Sequence, residues 1–327
     1  MNEDDRSVRA ALEEDLASAE RALGDATGGM LAAEPSAATV TGWVRAVVEC
    51  AARAPEYNVL PSEVVDALRA VRTELGEATE ARCVRRLVLA AMRRWVDADP
   101  AAHEPSSSWV GRTRLGEARR LLDDLRDDGG KGRRWTLADD ALIKDLQSYT
   151  GRLVPCGAQI VDVHAAVPRR LLVSDGTARL TGNLRFFARA GGFARFYAIH
   201  THTPTLDEFH ADGWDRCYLC IAELLRADPS ARGMVGGSWF YDPALERVSP
   251  RLAYLRRRPL DEGARLFRVG PTESAHRDAL ATSATRRSMH ERGEYVPTQY
   301  CLVWPRAGLL AWAERDGRSV PETGRRA

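Results

Sequence analysis

The stretch FYAIHTHTPTLDEFHADGWDRCYLC (196–220) gathers His200, His202 and His210 with Cys217 and Cys220. These residue types can bind a metal or move a proton. In a strand, His200 and His202 would point to one face. Two imidazoles at that spacing can ligate one Zn2+ or Fe2+, and Cys217-x-x-Cys220 on a following helix could close a tetrahedral set. The opposing reading is apolar. Leu206, Phe209, Gly213, Cys217, Cys220 and Leu224 fall on one helix stripe, so both thiols would face a core, where free cysteine is at home. No second cysteine pair and no His-x-x-x-His accompanies them. The expectation is no metal, with a metal-dependent enzyme using His200 and His202 as an alternative. Without a metal, His200 or His202 is a candidate general base, because imidazole titrates near neutrality. Thr205 and Glu208 have capping-box spacing, which would set a helix N-terminus beside His202, suited to an anion or a developing oxyanion.

A second chemical stretch is SWFYDP (238–243). Strand alternation puts Trp239 and Tyr241 on one side, and Asp242-Pro243 closes the strand. Tyr241 and Asp242 are candidates for holding a nucleophile and taking its proton; the competing reading is an aromatic core strand. Downstream, Ser249, Arg251, Arg256 and Arg257 would suit phosphate oxygens, or form a solvated helix face paired with Asp261 and Glu262. ATSATRRS (281–288) adds hydroxyls and two arginines on a helix, where hydroxyls are weak helix formers. No Gly-x-Ser-x-Gly, phosphate-binding P-loop or dinucleotide fingerprint occurs, which disfavours serine hydrolysis and nucleotide hydrolysis.

The elements that must position these residues fall in two groups. Residues 1–132 read as a helical domain, with amphipathic helices over 10–25, 41–54, 61–75, 81–96 and 113–128. Cys50 and Cys83 sit among apolar helical positions. DDGGKGRR (127–134) reads as a linker. Residues 133–327 read as an α+β domain with a mixed, mainly antiparallel sheet. A helix over 136–149 starts with Thr136 and Asp139 at capping-box spacing. A strand covers 158–167. A hairpin covers 169–190 around Asp175-Gly176, and strands cover 194–202, 233–242 and 264–270. Helices are expected at 205–226 and 273–293, the latter ending at Gly293, and a strand–kink–strand unit at 297–314.

The net charge of +1 conceals a division: residues 1–150 carry −6 and residues 151–327 carry +7. Such asymmetry suits an anionic partner for the second half, or attraction between halves or between copies in an oligomer. Only Lys131 and Lys144 are lysines, an arginine bias that fits a GC-rich bacterial genome. No apolar run reaches membrane-spanning length, and the acidic start MNEDDRSVRAALEEDL is unlike a signal peptide, so a cytoplasmic protein is expected.

From 233 onward the order is strand GMVGGSWFYD, a helix near Ser249-Pro250, strand ARLFRVG, helix SATRRSMHERG and strand PTQYCLVWPR. With ARFYAIHTHTP as an earlier central strand, this order resembles the GNAT acyltransferase superfamily over about residues 150–315. The resemblance implies two central strands that splay apart around an acyl donor's pantetheine arm. It implies acyl or aminoacyl transfer to an amine or hydroxyl of a small molecule. The family's glycine-rich pyrophosphate loop would follow the strand at 233–242, where this chain has PALERVSPRLAYLRRR. The family's tyrosine general acid would fall near Met289, beside His290 and upstream of Tyr295 and Tyr300. The expected donor is therefore phosphate-rich: acyl-CoA, an acyl carrier protein or aminoacyl-tRNA. No tightly bound cofactor is expected. His200, His202, Tyr241 and Asp242 would handle protons, and Ser249, Arg251, Arg256 and Arg257 would hold the donor. The other alternative is a non-enzymatic protein whose basic half docks RNA or an acidic partner.

Overall fold

The computed structural model describes residues 3–25, 34–97, 108–126, 140–174 and 176–316. It is an α+β structure: helices come first and a six-stranded mixed sheet follows. The chain divides into two compact units. The first holds Met1–Cys156 together with His202–Pro204; the second holds Gly157–Thr201 and Thr205–Ala327. The expected linker at 127–134, and the capping box at Thr136 and Asp139, lie outside the described residues.

In the first unit, α1 (Glu3–Asp25), α2 (Ala37–Arg53), α3 (Ser62–Leu75), α4 (Glu77–Asp97) and α5 (Trp109–Arg126) appear where apolar periodicity predicts them. Leu16, Val44, Val47, Leu68, Val88, Met92, Leu121 and Leu122 meet in one core. Ser36 caps α2, its hydroxyl accepting from the Thr39 amide at 3.1 Å. The far end of α2 is held by Arg152, which is fully buried. Its guanidinium donates to the carbonyls of Ala51, Ala54 and Pro55 at 3.1, 2.6 and 3.2 Å, where a helix presents unsatisfied carbonyls and a negative dipole end. Cys83 is buried and Cys50 half-buried. Helix α6 (Asp140–Ser148) contributes Leu142 and Leu146 to the same core, and β1 (Leu153–Cys156) follows.

Within the second unit the strands described run in the order β2-β3-β4-β6-β5. In the second unit, β2 (Gln159–Asp162) pairs antiparallel with β3 (Phe196–His200). β3 pairs parallel with β4 (Gly233–Ser238). β6 (Gln299–Pro305) lies antiparallel between β4 and β5 (Arg265–Gly270). Phe187, Phe196, Phe267 and Val303 centre its core.

Several expected elements take another form. The expected hairpin over 169–190 is helical instead. A 3-10 turn spans Arg169–Leu172, another spans Thr177–Arg179, and α7 covers Leu180–Arg189. Gly176, at φ 80°, opens this helical run rather than closing a hairpin. Asn183, Phe187 and Ala190 are buried at spacings of three and four, the period of a helix. Residues 239–241 form a 3-10 turn instead of continuing the strand, with the Ser238 hydroxyl accepting from the Phe240 amide. The helix expected from Thr205 starts later, as α8 (Ala211–Ala227) after a 3-10 segment over Thr203–Glu208. Its cap is His210, whose Nδ1 accepts from the Gly213 amide at 3.3 Å. Residues 245–261 give α9 (Leu245–Val248) and α10 (Tyr254–Asp261). The helix expected over 273–293 breaks at Thr282 into α11 (Glu273–Ala281) and α12 (Ala284–Glu291), each with its own hydroxyl cap from Thr272 and Ser283. The second strand expected after Pro305 is instead α13 (Arg306–Arg315), with Leu309, Trp312 and Ala313 buried. No helix among the described residues is long and apolar enough to cross a membrane.

Candidate functional site

His200 and His202 do not share a strand face. β3 stops at His200, opposite Ile160 of β2, and His202 belongs to the first unit. There His202 is 2% exposed. Its Nε2 lies 2.9 Å from Asp145 Oδ1 and 3.3 Å from Glu117 Oε1. Arg120 completes the group: its Nη2 donates to Glu117 Oε1 at 2.6 Å and to Asp145 Oδ1 at 2.9 Å, and its Nε donates to Glu117 Oε2 at 3.0 Å. Glu117, Arg120 and Asp124 sit at i, i+3 and i+7 of α5, on one helix face, and Asp145 comes from α6.

Burial works against charge at Glu117, Arg120 and His202, and their hydrogen bonds overcome it. Burial pushes the Glu117 carboxyl up, but bonds from His202 and Arg120 bring it down to about 2. Burial disfavours the His202 imidazolium, yet its bonds to Asp145 and Glu117 raise it above the ordinary histidine range. His202 is therefore engaged by two buried carboxylates that favour its charged form, and the general-base role expected for it does not fit this environment. The phenol of Tyr149 is pushed well above its usual range by burial, with Glu117 and Asp145 adding to the effect.

Glu117, Asp145 and His202 also form the one group among the described residues with three metal-ligand atoms within 4.8 Å of one another. The residues present do not fit a metal ion there. Arg120 Nη2 already bonds to the same two carboxylate oxygens that His202 Nε2 approaches, so two cationic groups fill the place an ion would take. His200 is not part of the group. Cys217 and Cys220 are fully buried on α8, as the apolar stripe implies, and burial pushes the Cys217 thiol up.

In the second unit His200 ends β3, and Tyr241 stands beside the C-terminal end of the β3–β4 ladder. That parallel ladder covers Phe196–Ile199 against Gly233–Gly236 and ends there. β4 runs on through Gly237 and Ser238, paired with Cys301 and Tyr300 of β6. At the last paired position the strands leave no room for a side chain. A Cβ on Gly236 would lie 2.8 Å from Ile199 Cδ1 and 2.9 Å from the Tyr241 hydroxyl. Tyr241 is fully buried, its hydroxyl has no hydrogen-bond partner among the described residues, and burial keeps the phenol protonated far above neutrality. Asp242 is 5% exposed. Burial raises its carboxyl, while amide donors at Ala244 (2.9 Å) and Thr298 oppose the rise. These bonds make Asp242 the cap of the turn that follows.

The expected donor-holding residues have different partners. Arg256 and Arg257 both reach Glu246, the latter at 3.2 Å, and Arg258 pairs with Asp215 at 2.9 Å. Arg251 is exposed and pairs with no carboxylate among the described residues. It lines a concavity of about 510 Å³ with Pro250, Tyr254, Arg257, Arg258 and Glu262. Ser249 Oγ accepts from Arg286 Nη1 at 3.1 Å. Arg286 is the residue that sequence reasoning did not single out. It is 2% exposed, bonds the Ala279 carbonyl and lies 4.6 Å from the centre of the Trp239 ring. No carboxylate among the described residues pairs with it. Burial pulls its guanidinium below its usual value, and the charge of Arg251 adds to that effect. A buried arginine with no acidic partner among the described residues, next to a second arginine likewise without one there, is a place where an anion would be welcome. The hydroxyl-rich run ATSATRRS that contains it was its visible sign.

No family model matches the chain, and no curated protein and no solved structure matches it.

Proposed function

We propose that the protein is an acyl- or aminoacyl-transferase whose phosphate-bearing donor lies against the ends of β3 and β4. One observation carries this reading. Among the described residues the second unit has a single parallel pair, β3 with β4, and the last strand is inserted antiparallel beside β4. That order agrees with the GNAT-like succession of elements, in which the donor arm occupies the gap between two central strands. The ladder ends at Ile199 and Gly236, and the Tyr241 hydroxyl stands at that point.

In this reading the acceptor's amine or hydroxyl attacks the acyl carbon, forming the new C–N or C–O bond. The bond from that carbon to the donor's sulfur or oxygen breaks. His200, half-buried at the end of β3, takes the acceptor's proton. Tyr241, held neutral by burial, donates a hydrogen bond to the leaving sulfur or oxygen, which takes its proton from the His200 imidazolium. Arg286 and Arg251 hold the donor's phosphate, and Ser249 orients Arg286. His202 is left out of the chemistry, and Arg256 and Arg257 are left to Glu246.

Thermal unfolding with acetyl-CoA, CoA, a loaded carrier protein and aminoacyl-tRNA tests this. A donor at about a hundred times its Kd adds roughly 2.7 kcal/mol, which raises Tm by several degrees. Arg286→Gln is expected to abolish most of the shift. Absence of a shift with every donor would overturn the reading.

A further inference from the structure

We propose that His276 and His290 form a binding site for a divalent transition-metal ion, zinc above all, that ties α11 to α12. The two Nε2 atoms face each other at 3.0 Å, and the ring centroids are 4.7 Å apart with planes at 76°. His290 Nδ1 lies 3.0 Å from the backbone oxygen of Tyr295. A carbonyl only accepts, so this nitrogen carries a proton. In the neutral ring the lone pair is therefore on Nε2, aimed at His276. A carbonyl fixing the far nitrogen is the way proteins orient histidines that ligate metals.

The spacing suits two ligands of one ion. Metal–nitrogen bonds of about 2.0–2.1 Å place two nitrogens about 2.9 Å apart at a right angle and about 3.3 Å apart at the tetrahedral angle. The observed separation falls between these values. His276 is exposed and His290 half-buried, so water can fill the remaining positions. The neighbouring arginines do not compete for the pair. Arg277 is engaged by Asp278 at 2.9 Å and Arg292 by Glu294 at 2.7 Å. Without metal, His276 Nε2–H donates to His290 Nε2. On binding, that proton moves to His276 Nδ1, and both rings ligate as neutral donors without net proton loss.

The two helices are short and separately capped, with Thr272 Oγ1 accepting from Ala275 and Ser283 Oγ from Arg286. A metal bridge across the break at Thr282 would fix their relative angle. This inference stands apart from the transferase reading.

The test is calorimetric titration of tag-free, chelator-treated full-length protein with zinc sulfate. One equivalent is expected to bind with a low-micromolar Kd. His276→Ala and His290→Ala are each expected to weaken binding about tenfold or more. His164→Ala, which removes an exposed histidine elsewhere, should leave binding unchanged. His276→Gln serves as a second variant if alanine lowers the melting temperature. No saturable binding below about 100 µM would overturn the proposal. Binding that survives both histidine variants, or is lost only in His202→Gln, would overturn it equally.

Discussion

His202 sits in a buried site between two carboxylates that favour its charged form, and its neighbours set a pH window. Its folded pKa lies above the ordinary value of about 6.5, so its contribution is complete below that pH and fades as pH rises through the folded value. Glu117 runs the other way. Its carboxyl is held at about 2 against an ordinary 4.5, so its contribution is complete above about 4.5 and fades as pH falls toward 2. The network should therefore stabilise most between about pH 4.5 and 6.5. The melting-temperature difference between wild type and His202→Gln should be largest in that window and shrink above it. A difference that grows with alkaline pH would contradict the assignment. Glu117→Ala leaves Arg120 and His202 facing one carboxylate fewer in a buried site. Its expected cost is roughly 3 kcal/mol or more by chemical denaturation.

At the scale of elements, Gly236 shows how tightly β3 and β4 approach before their ladder ends. An alanine there must push aside Ile199 and the Tyr241 hydroxyl, so Gly236→Ala should cost roughly 1–3 kcal/mol and weaken donor binding together. Gly213 shows a similar constraint at the start of α8. A Cβ there would lie 2.0 Å from the Glu208 carbonyl oxygen, which is backbone and cannot step aside cheaply. Much at this scale was readable. Helices α1 to α5 follow from their apolar period, and the burial of Cys217 and Cys220 follows from the stripe they share. The misreadings have local causes. Asp175-Gly176 has hairpin composition, but the burial of Asn183, Phe187 and Ala190 is helical. The apolar run after Pro305 hides a helix whose buried positions are Leu309, Trp312 and Ala313. The Glu117–Arg120–Asp145–His202 group joins residues up to 85 positions apart, counting from 117 to 202, and no local pattern links them. Arg286 was visible only as one arginine among hydroxyls, because its burial against Trp239 and Ser249, with no acidic partner among the described residues, is a property of the folded chain.

For the whole molecule, each unit has its own core. Leu68→Ala in the first should cost roughly 2–5 kcal/mol, and Phe187→Ala in the second roughly 3–5 kcal/mol. In the second unit β4 is bonded on both sides and its first four residues are buried. Its amides, with those of β6, should be among the slowest to exchange with deuterium, and fast exchange there would contradict the strand order. That order is also what the transferase reading rests on. The most direct measurement is photo-crosslinking with a CoA analogue whose reactive group sits at the end of the pantetheine arm, followed by peptide mapping. Labelling of 196–200 and 233–242, competed away by unlabelled CoA and lowered by Arg286→Gln, is the predicted result. Saturable labelling confined to other segments would contradict a donor site between β3 and β4.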